Sequence, residues 1–172
     1  MTKAKRVART APATGGPRIG RKVAHFARPA TRGATVRLKD LAGSHLVLYF
    51  YPKDDTSGCT AEGLGFKARH AAFKRAGAVV LCVSRDSVAA HERFRKKHGF
   101  PFDLLSDEDG ALCAAFGTWV EKSLYGRRYM GIERSTFLIG PDRRLLAEWR
   151  KVKVAGHVDE VLAALKSSIE GA

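Results

Sequence analysis

An α/β three-layer sandwich with a central mixed sheet is the fold the sequence predicts, and three observations predict it. First, His45-Leu46-Val47-Leu48-Tyr49-Phe50-Tyr51 is a continuous apolar run between Gly43 and Pro52, the pattern of a strand buried on both faces. Second, Ala78–Ser84, introduced by Gly77, is another such run, and the stretch Thr60–Arg75 between them has helical length with Phe66 and Phe73 on one face. A strand, a helix and a strand of these lengths form a βαβ unit, so the two strands run parallel. Third, Ser135–Ile139 and Leu145–Trp149 flank Gly140-Pro141-Asp142-Arg143-Arg144, a turn that makes them an antiparallel hairpin.

The remaining elements follow in chain order. Ala34–Leu38 and its flanks form a short N-terminal hairpin. Ser87–His98 is a helix closed by Gly99 and stopped by Pro101, and Asp109–Phe116 is a short helix ending at Gly117. Val158, Val161, Leu162, Leu165 and Ile169 share one face of a closing helix over Val158–Ile169. Strands with helical crossovers, then a hairpin and a last helix, are the order of a thioredoxin-type sandwich.

Composition limits what this domain does. The chain has 172 residues, with 31 Lys+Arg against 17 Asp+Glu and a net charge of +14. That length fits one domain of about 100–200 residues with a tail. Its longest apolar run, Leu46–Tyr51, falls far short of the ~20 residues that span a bilayer, so no membrane association is expected. Residues 1–33 carry nine Lys/Arg and no acid, which leaves the body at only +5. The breakers in Ala11–Pro17 make residues 1–18 a disordered basic tail, with the domain over 19–172. Such a tail suits sequence-blind, salt-dependent contact with nucleic acid through residues 1–33, or simple solubilisation. No apolar segment follows it, so it is not a secretory signal. Three cysteines, an odd number without a C-x-x-C, give neither a disulfide framework nor a zinc site. A reduced, cytoplasmic chain with one reactive thiol, no metal and no cofactor is expected.

The chemistry concentrates at Cys59. It follows Pro52-Lys53-Asp54-Asp55-Thr56-Ser57-Gly58, at the carboxyl end of a parallel strand where ligand groups gather. Cys59 falls in the first turn of the next helix, where free backbone N–H groups favour an anion and a thiol gives up its proton more readily. Thr56 takes the place of the first cysteine of a C-x-x-C, which excludes a dithiol–disulfide shuttle. Its hydroxyl can donate to or accept from a bound oxygen. Pro52 fixes the turn and presents no N–H.

Pro52-x-x-x-Thr56-x-x-Cys59 is the peroxiredoxin signature, and Tyr49–Thr60 as a whole resembles the bacterioferritin comigratory protein / peroxiredoxin Q subfamily. Leu104–Gly110, Phe116–Trp119, Glu121–Ser123 and Gly131–Ile139 resemble it too, in the same order, over about residues 19–170. The resemblance implies a thiol-dependent peroxidase acting on hydrogen peroxide and organic hydroperoxides. It makes Cys59 the peroxidatic thiolate, Thr56 the peroxide holder and Arg134 the cation that stabilises thiolate and leaving oxygen. It also implies thioredoxin, glutaredoxin or a small thiol as reductant, and a monomer or weak dimer.

Two departures matter. Subfamily members carry a second, resolving cysteine either five residues after the first or in the next helix. Leu64 stands at the first position, and Ser87–His98 has no cysteine. A one-cysteine mechanism follows, with Cys82, mid-strand, and Cys113, among apolar residues, as the only internal candidates for a resolving role. Gly63 and Gly65 each cost about 1 kcal/mol in a helix, which would ease opening after Cys59. Ala24-His25-Phe26 replaces the family's Pro-Asp-Phe, a tolerated change near the first strand. Asp54 and Asp55 read as solvated loop charges, His70 and His91 as surface or half-buried helix residues. Trp119 and Tyr125 read as packing residues or as lining of the site's mouth. The competing function is a redox-sensing module docked on nucleic acid by its tail; the spacing of Pro52, Thr56, Cys59 and Arg134 favours the enzyme.

Overall fold

The structure is a computed structural model that describes residues 16–171. Most of the basic tail, residues 1–15, lies outside them. Two short strands, β1 (Ala27–Pro29) and β2 (Thr35–Arg37), pair antiparallel as the N-terminal hairpin. There follow β3 (His45–Phe50), α1 (Ser57–Arg75), β4 (Ala78–Ser84), α2 (Val88–His98), β5 (Asp103–Ser106), α3 (Ala111–Ala115), β6 (Trp119–Leu124), β7 (Arg127–Ile132), β8 (Ser135–Ile139), β9 (Leu145–Trp149) and α4 (His157–Glu170). The central sheet has the order β5-β4-β3-β8-β9. Strands β3, β4 and β5 are parallel, while β8 runs antiparallel to β3 and β9 to β8. It is the mixed sheet that the sequence predicts.

Strand β3 is buried on both faces because successive side chains alternate between two cores. Val47, Tyr49 and Tyr51 point into one core with Phe66 and Phe73 of α1, Phe94 of α2 and Val158, Val161 and Leu165 of α4. Leu46, Leu48 and Phe50 point into the other, with Leu112, Cys113 and Phe116 around α3 and with Val23, Ala30 and Leu38 from the N-terminal segment. That segment is stitched to the start of β9 by Gly20 N–Leu145 O at 2.8 Å and Leu145 N–Arg21 O at 3.0 Å. His25 is exposed.

Helix boundaries follow their caps. Helix α1 begins three residues earlier than the apolar pattern suggests, at Ser57, so Cys59 is its third residue. Ser87 caps α2 by accepting from Ala90 N at 3.1 Å, and Gly99 closes it in the left-handed conformation, φ 64°. The Asp107 carboxylate caps α3 through Leu112 N (3.0 Å) and Cys113 N (2.8 Å). The two glycines in α1 have a packing reason: a Cβ on Gly63 would stand 2.6 Å from the Phe100 ring, and one on Gly65 3.0 Å from Val158. They admit neighbours rather than loosen the helix.

Strand β5 and the β6–β7 hairpin are absent from the sequence reading. β5 is only four residues long, and its two leucines show no alternation. In β6–β7 both strands are largely exposed, so no apolar pattern marks them. Their turn, Tyr125-Gly126, has positive φ at both residues (49° and 76°), as a two-residue hairpin with right-handed twist requires. This hairpin pairs with no strand of the central sheet.

Candidate active site

The loop between β3 and α1 carries the signature residues. Tyr51 N still bonds Val83 O at 3.1 Å, which holds the chain to β4 until Pro52 turns it away. Asp55 then adopts the left-handed conformation, φ 61°. Thr56 occupies the N-cap position with extended backbone, and its carbonyl accepts the first helical bond, from Thr60 N at 2.9 Å. Its hydroxyl does not cap the helix. It donates to Lys53 O at 3.0 Å, which leaves its oxygen lone pairs free on an exposed side chain to accept a hydrogen bond from a ligand.

Cys59 is 2% exposed. Arg134, between β7 and β8, donates from Nη2 to Cys59 Sγ at 3.4 Å and from Nη1 to Glu62 Oε1 at 2.9 Å. The chain thus brings together two residues 75 positions apart. The Arg134 backbone is fixed by Val152 N–Arg134 O at 2.9 Å. Gly58 makes room for the guanidinium, since a Cβ there would stand 3.1 Å from Nη2. Glu62 is one helical turn beyond Cys59 and fully buried. Burial raises its carboxyl from 4.5 to about 7, against the opposing pull of Arg134, and its Oε2 has no hydrogen-bond partner. Glu62 escapes sequence reasoning because a glutamate in a helix reads as a solvated charge.

Asp54 corrects the sequence reading: it is half-buried, not solvated. Its carboxylate accepts from Tyr51 Oη and pairs with His91 Nδ1 at 2.6 Å, while its N–H donates to Asp86 Oδ2 at 3.0 Å. His91 is fully buried, not a surface residue, and its Nε2–H donates to Leu105 O at 2.9 Å. Asp54, Asp86 and His91 bring candidate ligand atoms within 4.8 Å of one another, but these bonds already engage them inside the protein. Asp55 is exposed and pairs with Lys97 at 2.8 Å, as expected of a solvated charge.

The other cysteines are placed differently. Cys82 lies opposite Tyr49 across β3–β4, in the same core as Cys59, and burial pushes its thiol well up. Cys113 sits in the core on the other face of the sheet, its thiol raised by burial and by Asp107. All three thiols are free.

Beside the loop is a cleft of about 440 Å³, lined by Pro52, Trp119, Lys122, Tyr129, Met130 and Ile132 with Arg85 and Glu108 at its side. Trp119 packs against the core around α3 and lines this cleft. Tyr125, 97% exposed at the hairpin tip, does not.

A thiol in a helix's first turn, a guanidinium on its sulfur and an exposed acceptor hydroxyl form a site where a thiolate can attack an electrophilic atom while fixed donors face the charge on the leaving group. The comparisons with known proteins agree. Residues 19–147 match the model of the AhpC/TSA family. The peroxiredoxin Bcp of Xanthomonas campestris is 56% identical over 135 residues, 78% of this chain and 84% of its own length. Among solved structures, a peroxiredoxin Q mutant of Xylella fastidiosa superposes with a TM-score of 0.85 at 45% identity, covering 89% of this chain and 98% of its own. The bacterioferritin comigratory protein of Xanthomonas campestris, described for its alkyl peroxide reduction activity, gives 0.80 at 52%, covering 83% and 91%. The chain therefore belongs to the AhpC/TSA family, in its peroxiredoxin Q/Bcp branch, and is a thiol-dependent peroxidase.

Proposed function

We propose that Cys59 is the peroxidatic residue of a one-cysteine enzyme that reduces hydrogen peroxide and organic hydroperoxides. The observation that carries this reading is the Arg134 fork, with one nitrogen 3.4 Å from Cys59 Sγ and the other held by Glu62. The Cys59 thiolate attacks the distal oxygen of the hydroperoxide. The O–O bond breaks, sulfur is oxidised to the sulfenic acid, and the leaving alkoxide or hydroxide takes up a proton to become an alcohol or water. Arg134 and the free N–H groups of the first turn face the charge moving onto that leaving oxygen, and Thr56 accepts from the hydroperoxide O–H. Two equivalents of an external thiol then return Cys59 to the thiol, releasing a disulfide and water. Organic substrates are supported by the alkyl peroxide activity described for the Xanthomonas relative. External reduction is supported by Leu64 and the cysteine-free α2. No helix among the described residues is long and apolar enough to cross a membrane.

The test is to treat the reduced protein with one equivalent of hydrogen peroxide and weigh it intact, with Cys59→Ser alongside. A gain of one oxygen, trapped by a sulfenate reagent and absent from the variant, is expected. A loss of two hydrogens would mean that Cys82 or Cys113 resolves the sulfenic acid and would overturn the one-cysteine step.

A further inference from the structure

The basic residues of the N-terminal segment meet different surroundings. Arg28 pairs with Asp107 and with Asp109, each at 3.2 Å, and Arg32 pairs with Asp103 at 2.9 Å. Arg18, Arg21 and Lys22 are exposed, and no carboxylate of the described residues lies within ion-pair distance of them. Their stretch runs antiparallel to the turn between β8 and β9: Gly20 N donates to Leu145 O at 2.8 Å, Leu145 N to Arg21 O at 3.0 Å and Val23 N to Arg143 O at 2.9 Å. Lys22 therefore stands directly opposite Arg144. The one carboxylate of that turn, Asp142, is held by Arg144 at 3.2 Å, and Arg143 donates to His25 Nε2 rather than to an acid.

Like charges directly opposite each other on paired backbone are destabilising, and core packing does not require these, since Lys22 and Arg144 are both exposed. A polyanion lying along this edge would turn the repulsion into attraction and release its own counter-ions. The cations follow extended backbone at about 3.3 Å per residue and about 4.8 Å between strands. They present a dense band of charge to the phosphates of a duplex, which carries one charge per about 1.7 Å of its axis. Arg18–Ala24 and Gly140–Arg144 contain no aromatic ring on which an unstacked base could lie. That favours the backbone of a duplex over a single strand and leaves base sequence unread. The edge also lies at the far end of the sheet from the sulfur. Strand β8 leads from Ser135, next to Arg134, to Ile139, next to the turn, a span of roughly 16 Å at about 3.3 Å per residue.

We propose that the edge formed by Arg18, Arg21, Lys22, Arg143 and Arg144 docks the protein on the phosphate backbone of double-stranded DNA, without regard to sequence. Cys59, at the other end of the sheet, stays open to peroxide while the protein is bound. Docking goes beyond the peroxidase reading and does not depend on it.

The test titrates the full chain into a short fluorescein-labelled DNA duplex of mixed sequence over a range of sodium chloride concentrations and reads the anisotropy. Three variants accompany the parent: Arg18→Gln with Arg21→Gln and Lys22→Gln; Arg18→Lys with Arg21→Lys; and, in the tail, Lys3→Gln with Lys5→Gln, Arg6→Gln and Arg9→Gln. Affinity of the parent is expected to fall steeply with salt. The glutamine variant of the edge is expected to lower the slope of log K against log salt by about 2–3, close to one unit for each lost phosphate contact. The lysine variant keeps the parent slope, and kcat/KM for hydrogen peroxide is unchanged in all three. A parent that does not bind, an unchanged slope in the glutamine variant, or a loss confined to the tail variant would each overturn the proposal. Tighter binding to vesicles of phosphatidylserine and phosphatidylcholine than to DNA would overturn it too, by making the partner a membrane surface. A peroxidase rate that fell with the glutamine variant would show that these residues hold the domain together, and docking would not be their role.

Discussion

At Arg134 the two terminal nitrogens serve different partners, Sγ of Cys59 and Oε1 of Glu62. Only a planar fork reaches both at once, and a lysine ammonium there would carry the same charge to a single point. Arg134→Lys is therefore expected to lower kcat/KM for hydrogen peroxide by about 10²-fold, the scale of losing one donor aimed at developing charge. Competition against a reference peroxidase measures this, and a rate within about twofold of the parent would show that charge alone suffices. Gly58 belongs to the same arrangement, since a side chain there would stand against the guanidinium.

At the scale of the elements, the β3–α1 loop is clamped rather than free. Asp54 ties it to Tyr51 at the end of β3, to His91 on α2 and, through its backbone, to Asp86 beyond β4. Asp54→Ala leaves a buried hydroxyl and imidazole without their acceptor and is expected to cost about 2–3 kcal/mol. It also releases the loop that presents Thr56, so peroxidase activity falls with stability. Asp55→Asn keeps the left-handed turn and loses only an exposed pair, worth about 0–1 kcal/mol. Urea unfolding of both variants decides, and equal small losses would refute the clamp. These elements also show what the sequence discloses. The strand β3, the first turn of α1 and Pro52-x-x-x-Thr56-x-x-Cys59 are local patterns and legible as such. The meeting of Arg134 with Cys59 came only through family resemblance, and His91 with Asp54 not at all, because both are made by the crossovers of the sheet. The β6–β7 hairpin left no trace, since strands exposed on both faces have no reason to alternate.

For the whole molecule, two buried groups oppose each other in acid. Glu62, raised from 4.5 to about 7, binds its proton more tightly in the folded chain, so its contribution is full at low pH and is lost as pH rises through that window. His157, buried among Phe66, Trp149 and Thr136, is lowered from 6.5 to about 4, so its contribution is full above 6.5 and is lost as pH falls. Between pH 4.5 and 6.5 the two slopes have opposite sign and nearly cancel. Glu62→Gln is expected to unmask the histidine, giving a stability that climbs with pH by up to about 1.4 kcal/mol per unit. Denaturant midpoints across that range measure it, and an unchanged profile would show that one of the two groups titrates normally. The hairpin has a consequence on the same scale. Its base is closed by Glu133 N–Thr118 O at 2.7 Å, and the Arg134 backbone just beyond is held separately by Val152. Substitutions along β6 and β7 therefore reshape the wall of the cleft without unseating the residues around the sulfur. Selection can vary the hairpin freely while the arrangement around the sulfur is inherited intact.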